Sequence, residues 1–263
     1  MHIPKFEFDY VWNRQFGLGD CISIFTSNRP VWSPSPHYPI LRKYSRLPSL
    51  DDPIGNGLNV SDLHEVDFDH PFKQHLFNRV RLVSGMEPLH APRSQLDLLP
   101  YNPIKNNIAF SFDTSIAALD QQRLHPRARQ LYPEHKETIQ AFINKHRDKY
   151  NFIQIGLNSF GFDNVIDKTN VPLEETISVL STCQSYFGMH SGIKHLVAAF
   201  GIKSTIVINF PTIEYIKSEQ PFEARDAMQW EKMWLYPQND ILHEDEVGSE
   251  YEITIENLEA KVF

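Results

Sequence analysis

The sequence is poor in cysteine and contains no long apolar segment. Only two of its 263 residues are cysteines, Cys21 and Cys183, which excludes a disulfide framework and indicates a reducing compartment. No apolar run approaches the roughly 20 residues that a helix needs to cross a bilayer. The first ten residues also lack the regions of a signal peptide. We therefore expect a soluble protein of the cytoplasm.

Negative charge is concentrated at the end of the chain. Apolar residues make up 41% of the sequence and charged residues 22%, which is the composition of a globular protein and not of a disordered one. The net charge is −8, and residues 240–263 contain eight acidic residues against one lysine. We interpret residues 241–263 as an acidic C-terminal segment that ends in a helix capped by Thr254.

A basic segment lies near the middle of the chain. Residues 121–149 contain seven lysines and arginines against three acidic residues. Such a segment can meet phosphate groups, which keeps a DNA substrate open. A solvated helix face explains the same charges equally well, and the negative net charge argues against non-specific binding to nucleic acid.

The second half of the chain alternates between strand and helix patterns. Apolar runs predict strands over 106–112, 151–155, 186–188 and 204–209. Helical patterns begin at Pro133, at Pro172 and after Gly192, with acids early and bases late in the first of them. Strands that alternate with helices of this length predict an α/β fold with a parallel sheet covered on both faces.

The first half is less regular. A strand is predicted within residues 6–12, whereas residues 28–60 are rich in proline and polar residues and predict a long loop. Pro100 and Pro103 bracket a boundary, since proline disfavours both helix and central strand. We therefore predict two Rossmann-like domains, residues 1–102 and 103–240, followed by the acidic segment 241–263.

A glycine turn in the first half carries an acidic residue. Gly17 and Gly19 follow the predicted strand and precede a possible helix, which suits a close approach of backbone to ligand. A dinucleotide fingerprint fails because its third glycine position is Ile22. Asp20 is well placed to accept a proton from a substrate hydroxyl. The competing interpretation is a simple glycine turn.

A second turn predicts an anion site. His190, Ser191 and Gly192 lie between a predicted strand and the start of a helix, where free N–H groups and the helix dipole favour a phosphate. The Ser191 hydroxyl can donate, and His195 lies one turn further on the same face. The alternative for His195 is a semi-buried core histidine.

Two weaker patterns raise the question of a metal. Asp67 and Asp69 form the D-x-D pattern that holds a divalent ion in one class of sugar transferases, but no apolar strand leads into it. The wider cluster with His64, His70 and His75 matches no ligand template. We expect neither a metal nor a cofactor, and we interpret both cysteines as small buried residues.

Three segments resemble one enzyme family. Phe16-Gly17-Leu18-Gly19-Asp20 resembles the N-terminal loop of the lipopolysaccharide heptosyltransferase-like glycosyltransferases of family 9. The run from Phe187 to Gly201, FGMHSGIKHLVAAFG, resembles that family's C-terminal signature G-x-D-S/T-G-x-x-H-x-x-A-A-x-G. The run from Arg129 to Glu134, RQLYPE, is similar to its basic–Trp–Pro helix start, with Tyr132 in place of tryptophan.

The resemblance implies a GT-B fold, in which two Rossmann-like domains face each other across a cleft. The nucleotide sugar would bind the C-terminal domain and the acceptor the N-terminal one. Asp20 would deprotonate the acceptor hydroxyl, and the donor diphosphate would be held by Ser191, Gly192 and His195 with help from Arg129. A helix dipole and cationic side chains can stabilise the leaving group without a metal.

One position departs from the family and leaves the substrate open. His190 stands where the family has an acidic residue that engages the donor sugar, so donor sugar and base are not defined. The acceptor could be a glycan, a lipid-linked sugar, a small molecule or a modified base in DNA. Two other classes stay open: a nucleotide-sugar epimerase of the same architecture, and a non-catalytic nucleotide-sugar-binding module, against which Asp20 argues.

Overall fold

The computed structural model describes nine stretches of the chain. They are residues 7–13, 17–65, 76–89, 94, 96–112, 131–209, 235–236, 239–245 and 247–263. The chain divides into two compact units, Met1–Leu98 with Lys217–Pro237 and Leu99–Ile216 with Gln238–Phe263. Each unit contains a parallel β-sheet.

The sheet of the first unit has three strands, with the first of them in its centre. The strands are β1 (Tyr10–Trp12), β2 (Val31–Trp32) and β3 (Gly57–Asn59). The helices are α1 (Leu18–Ile24), α2 (Tyr38–Leu41) and α3 (Leu76–Val83), with short 3-10 turns at Arg42–Tyr44 and Val60–Glu65.

One face of this sheet is a row of branched aliphatic side chains. Val11 is in register with Val31 on one side and with Leu58 on the other, and all three are buried. Successive residues of a strand face opposite sides of the sheet, so these paired residues share one face. Parallel strands need a crossover between them, and α1 lies in the crossover from β1 to β2.

Residues 28–60, predicted as a long loop, contain β2, α2 and β3, so that prediction is wrong. The two strands have two and three residues, which is too short for a period-two pattern to be visible. The prolines take part in the sheet as acceptors. The carbonyl of Pro30 accepts from the N–H of Val11 at 2.9 Å, and that of Pro48 accepts from Val31 at 3.0 Å. Proline has no N–H but keeps this carbonyl.

The sheet of the second unit has six parallel strands. In chain order they are β4 (Asn107–Ser111), β5 (Asn151–Gly156), β6 (Ile166–Thr169), β7 (Ser185–Met189), β8 (Lys203–Ile208) and β9 (Asn239–His243). They lie side by side as β6-β5-β4-β7-β8-β9. Counted within this unit, the order is 3-2-1-4-5-6, which is the order of a doubly wound, nucleotide-binding sheet.

The helices of the second unit are α4 (Lys136–His146), α5 (Leu173–Leu180), α6 (Ile193–Phe200) and α7 (Ile255–Val262). The strands and helices predicted for this half are confirmed, and so is the parallel sheet. Thr254 is the N-cap residue of α7, and its hydroxyl accepts from the N–H of Asn257 at 3.1 Å, which confirms the predicted cap. Within the described ranges, no helix is long and apolar enough to cross a membrane.

Two strands of the second unit, β6 and β9, were not predicted, and both lie at edges of its sheet. β6 reads Ile-Asp-Lys-Thr, and its Ile166 is 46% exposed, so it has no apolar pattern. β9 lies where the acidic stretch begins, and only Leu242 and His243 of its residues are buried. β9 pairs with β8, and α7 packs against α4. The acidic C-terminal residues thus belong to the packed structure of the second unit.

Phenylalanine side chains fill the core of the second unit. Phe110 and Phe187 stack with their ring centroids 5.3 Å apart. Phe142 on α4 meets Phe152 and Phe187 edge-on at 5.6 and 5.8 Å. Offset and edge-to-face pairs at these distances stabilise a core beyond the burial of their area. This packing fixes the strands whose carboxyl ends carry the candidate site.

Candidate functional site

The strand order of the second sheet brings two carboxyl strand ends together at its centre. β4 and β7 are neighbours. The chain proceeds outward from β4 through β5 and β6 on one side, and from β7 through β8 and β9 on the other. Open α/β sheets bind ligands beyond the carboxyl ends of the strands at such a reversal. His190, Ser191 and Gly192 follow β7 directly, so the predicted anion turn lies there.

A glycine lets the two central strands pair closely at this point. Gly188 is the register partner of Ser111. A Cβ at position 188 would overlap the carbonyl oxygen of Ser111 and would lie 2.8 Å from the hydroxyl of Tyr186. Any other side chain would therefore push the strands apart beside the turn. Gly188 is required by the sheet itself.

The turn and the start of α6 offer hydrogen-bond donors. Gly192 is the N-cap residue, and no side-chain hydrogen bond caps this helix. Ser191 is 8% exposed, and its hydroxyl has no hydrogen-bond partner among the described residues. The first N–H groups of a helix lack intrahelical acceptors and lie at the positive end of the dipole. The N–H groups of Lys194 and His195 already donate to the carbonyls of Ser191 and Gly192 at 3.3 and 3.2 Å, so a phosphate group would accept from the Ser191 hydroxyl and from the N–H groups of Gly192 and Ile193.

Three basic side chains are buried at this turn. His190, Lys194 and His195 are 5%, 1% and 4% exposed. Lys194 was not predicted as a site residue, although a signal was present: a lysine in the first turn of an apolar helix opposes the usual polarity, with acids early and bases late. Buried basic groups at the positive end of a helix make a favourable place for an anion. Burial of His195 fits both of its interpretations, so its role stays a prediction.

A buried carboxyl group that sequence reasoning missed lies further along the same edge. Glu244 follows β9 and is 5% exposed. Its Oε1 accepts from the N–H of Tyr132 at 2.6 Å, and its Oε2 accepts from the side-chain amide of Asn209 at 2.7 Å. Burial raises the pKa of Glu244 to about 8, against the lowering effect of these two bonds. Nothing in the sequence distinguishes it from its acidic neighbours.

In the first unit, Asp20 lies at the carboxyl edge of the sheet. It is the third residue of α1, and an ideal Cβ at Gly17 would lie only 2.5 Å from Asp20 Oδ2. The carboxylate therefore turns back over the helix start, where glycine leaves it room. The Asp20 carbonyl accepts from Asn13 Nδ2 at 3.2 Å and from Ser23 Oγ at 2.6 Å. The first bond fastens Asp20 to the residue that follows β1.

The predicted glycine turn is right for Gly17 and wrong for Gly19. Gly17 is the N-cap residue of α1 with φ −63° and ψ 150°. Gly19 lies inside the helix, because α1 begins one residue earlier, at Leu18. No local pattern predicts this early start, since glycine at an interior helix position is unfavourable.

Both cysteines are buried thiols. Burial raises the pKa of Cys21 to about 12 and that of Cys183 to about 11. A thiol with such a pKa is protonated at neutral pH and is a poor nucleophile. The prediction that both are small buried residues is confirmed.

Some predicted site residues lie outside the described part of the chain. These are Arg129, Asp67, Asp69, His70 and His75, and the side chain of His64 is not described either. Among the described residues, no group of three or more His, Cys, Asp and Glu side chains could hold a metal ion.

Comparisons with solved structures give the class of fold. No protein-family description matches the sequence, and no curated protein matches it either. TibC, an iron-containing dodecameric glycosyltransferase from enterotoxigenic E. coli H10407, is similar with a TM-score of 0.53 at 16% identity. The match covers 77% of this chain and 61% of TibC, so this chain spans less than two thirds of that protein's length.

Two further structures match over nearly their whole length. The ADP-heptose lipopolysaccharide heptosyltransferase II of E. coli has a TM-score of 0.51 at 12% identity, over 96% of this chain and 98% of its own. A family 9 glycosyltransferase from Veillonella parvula DSM 2008 has a TM-score of 0.55 at 10% identity, over 97% of each chain. The protein therefore shares the α/β fold of these glycosyltransferases. Its structural neighbours include a heptosyltransferase and a family 9 glycosyltransferase, and family 9 is the family that its motifs resemble.

Proposed function

We propose that the protein is an inverting glycosyltransferase that moves a sugar from a nucleotide-diphospho-sugar to an acceptor hydroxyl without a metal or cofactor. The observation that carries the proposal is the position of residues 190–192 at the chain reversal of a doubly wound sheet. A second structure of TibC is described as a complex with ADP-D-β-D-heptose. That complex supports a nucleotide sugar as the donor, while His190 leaves the sugar itself open.

On the donor side, the turn and α6 would hold the diphosphate. The Ser191 hydroxyl, the N–H groups at Gly192 and the His195 ring would donate hydrogen bonds, with His190 and Arg129 completing the set. The bond from the sugar to the β-phosphate oxygen breaks in the reaction, so negative charge grows on the diphosphate. Fixed donors in a buried site stabilise that charge without reorganising.

On the acceptor side, Asp20 would be the general base. The acceptor oxygen attacks the anomeric carbon while its proton passes to the Asp20 carboxylate, and the nucleoside diphosphate leaves from the opposite side. One displacement inverts the anomeric configuration. A carboxylate is suited to this step because it is ionised at neutral pH and receives the proton as the hydroxyl becomes acidic in the transition state.

The family resemblance assigns the acceptor and the nucleotide sugar to different halves of the chain. Residues 1–102 would form the acceptor side and residues 103–240 the nucleotide-sugar side of a GT-B cleft. The acceptor is a glycan, a lipid-linked sugar, a small molecule or a modified base in DNA. In the basic segment 121–149, Lys145 is paired with Glu259 at 2.6 Å, which reduces the positive charge that α4 could offer to DNA.

A panel of nucleotide sugars tests the proposal. The pure protein is mixed with UDP-, GDP-, ADP- and CMP-sugars, and melting temperature and bound mass are recorded. A ligand at a hundredfold excess over its Kd stabilises the folded state by about 2.7 kcal/mol, so a true donor gives a clear shift. If none of the panel moves the transition, the transferase proposal is wrong.

Two controls test where the donor binds and whether a metal takes part in the reaction. Ser191→Ala should weaken donor binding, whereas Ser185→Ala should not. The Ser185 hydroxyl is also buried without a partner among the described residues, but it lies at the amino end of β7. Donor binding and turnover should be unchanged in EDTA. Turnover that is lost on chelation and restored by Mn²⁺ or Mg²⁺ would favour the D-x-D interpretation of Asp67 and Asp69.

A further inference from the structure

The carboxyl group of Glu244 joins two regions of the second unit that are far apart in the sequence. It accepts hydrogen bonds from the Tyr132 N–H at 2.6 Å and from the Asn209 amide at 2.7 Å. Tyr132 immediately precedes Pro133, where the 3-10 turn before α4 begins. Asn209 is the residue after β8 and is fully buried. One side chain thus connects the start of α4 to the carboxyl ends of β8 and β9.

The segment before α4 crosses the carboxyl edge of the sheet. The N–H of Leu131 donates to the carbonyl of Phe112, just beyond β4, at 3.4 Å. The next residue, Tyr132, is held by Glu244 beyond β9, and His135 Nε2 lies 3.0 Å from the Glu244 carbonyl oxygen. The segment therefore contacts both the residue that follows β4 and the residue that follows β9.

Backbone hydrogen bonds connect this arrangement with the anion turn. The N–H of Glu244 donates to the carbonyl of Ile208 at 3.0 Å, and the N–H of His190 donates to the carbonyl of Val207 at 3.1 Å. The last two residues of β8 hold Glu244 on one side and the turn after β7 on the other. A displacement of Glu244 would therefore also displace His190 and Ser191.

Several titratable groups surround this carboxyl group. Asp245 and Glu134 raise the pKa of Glu244 further, whereas the bonds from Tyr132 and Asn209 lower it. Among the described residues, other titratable side chains on this edge are Tyr132 just before the 3-10 turn, His135 at its end and His243 at the end of β9, while His190 follows β7, two strands away. With a pKa of about 8, Glu244 changes from neutral to negative just above physiological pH.

We propose that Glu244 is a positioning residue of the donor-diphosphate site: its carboxyl group holds the start of α4 and the end of β8 together at the edge where the turn of residues 190–192 is fixed. The role rests on the proposed function, because it requires a diphosphate at that turn. The neutral acid suits it, since a carboxylate on the same edge would repel the diphosphate.

The test is the affinity for ADP, GDP and UDP, measured by titration calorimetry between pH 7 and 9.5. In the parent, affinity should fall several-fold as the pH rises through about 8. Glu244→Gln keeps an acceptor for Tyr132 and cannot ionise, so its affinity should vary less with pH. Glu244→Ala removes the connection and should weaken binding about tenfold at pH 7, the value of one such hydrogen bond.

Glu259 provides a matched control, because its carboxylate joins α7 to α4. Glu259 on α7 accepts from His146 Nε2 at 2.7 Å and pairs with Lys145 at 2.6 Å, and both partners lie on α4. Glu259→Gln should lower the melting temperature and leave diphosphate affinity within twofold of the parent. The contrast separates a positioning role from a general loss of stability.

A second readout needs no ligand. The folded state holds the proton of Glu244 more tightly than the unfolded state, because the pKa rises from 4.5 to about 8 on folding. The free energy of unfolding should therefore fall as the pH rises from about 4.5 toward 8. Glu244→Gln should remove this slope.

The outcomes are distinguishable. A parent protein that binds none of the three diphosphates would reject the proposed function, and this role with it. A parent that binds them, with Glu244→Ala and Glu244→Gln of equal affinity at every pH, would reject the positioning role alone. A parent and Glu244→Gln with identical pH profiles of binding would also overturn it.

Discussion

The two sheets of this molecule are stabilised in different ways. The second has strands of four to six residues around a core of phenylalanine rings. The first has strands of two or three residues, and side-chain hydrogen bonds hold its connections in place. The Tyr38 hydroxyl, for example, lies 2.7 and 3.0 Å from the carbonyl oxygens of Val31 and Leu50, which share its single proton. Apolar burial dominates the second sheet, and specific polar contacts supplement it in the first.

The difference extends to the two candidate site regions. In the second unit the anion turn is set by a strand, a helix start and a backbone bond from His190 to Val207. In the first unit Asp20 is fixed by the side chains of Asn13 and Ser23 on its carbonyl. Backbone geometry tolerates substitution better than a side-chain contact does. We therefore expect function in the first unit to depend more sharply on single residues.

Asp20→Asn should have the largest effect of any single change. Asparagine is nearly isosteric and keeps the fold, but it cannot take the proton of the acceptor. Sugar transfer should fall about 10²- to 10⁴-fold while donor affinity and melting temperature stay near those of the parent. Asp52→Asn, an exposed acid of the same unit, should leave transfer unchanged. Near-parental turnover by Asp20→Asn would reduce Asp20 to an acid that stabilises the first turn of α1.

Phe187→Ala tests the apolar half of the comparison. Removing this fully buried ring should lower the free energy of unfolding by about 3–5 kcal/mol. Val11→Ala in the first sheet deletes less buried surface and should cost about 2 kcal/mol. Hydrogen exchange in urea, read peptide by peptide, assigns the loss to one sheet or the other. If each variant loosens both sheets equally, the two units unfold together and the comparison fails.

His195→Ala separates a phosphate ligand from a core histidine. A hydrogen bond from histidine to phosphate contributes roughly 1–3 kcal/mol, so the affinity for ADP, GDP or UDP should fall about 5- to 150-fold. The titration uses folded protein, with the melting temperature recorded alongside. Unchanged affinity with a lowered melting temperature would assign His195 to the core.

Thr254→Ala should have the smallest effect. Its hydroxyl caps α7 by accepting from the Asn257 N–H, and loss of such a cap costs about 1 kcal/mol. Thr254→Ser keeps the hydroxyl and should be close to the parent in thermal unfolding. A loss well above that size would mean that α7 contributes more to the second core than its packing on α4 suggests.

Strand length and burial explain which strands could be predicted from the sequence. β4, β5, β7 and β8 were predicted because buried strands of five or six residues are visible as apolar runs. β2 and β3 were missed because strands of two or three residues show no period, and β6 because it is an exposed edge strand of polar sequence. The helices of the second unit were predicted from apolar spacing and from caps such as Pro133, Gly201 and Thr254, whereas α2 and α3 of the first unit were not predicted.

The residues of the candidate site also differ in how well the sequence predicts them. Asp20, Ser191, Gly192 and His195 could be proposed from the sequence because a glycine or a strand end next to a helix start is a local pattern, and their roles stay predictions. Glu244 was missed because its partners, Tyr132 and Asn209, are 112 and 35 residues away in the chain. Lys194 was overlooked although its helix position was a usable signal.

Local sequence patterns were enough to predict the alternation of the four central strands with helices in the second unit, its parallel sheet and the helix start that follows Gly192. These depend on interactions between residues close in the chain, such as capping, apolar periodicity and helix polarity. The tertiary structure alone decided the strand order 3-2-1-4-5-6 and hence which carboxyl ends meet. It also decided that one glutamate among eight acids near the C-terminus is buried at that edge with a raised pKa. A pKa shift of this kind arises from burial by residues distant in sequence, which no local pattern encodes.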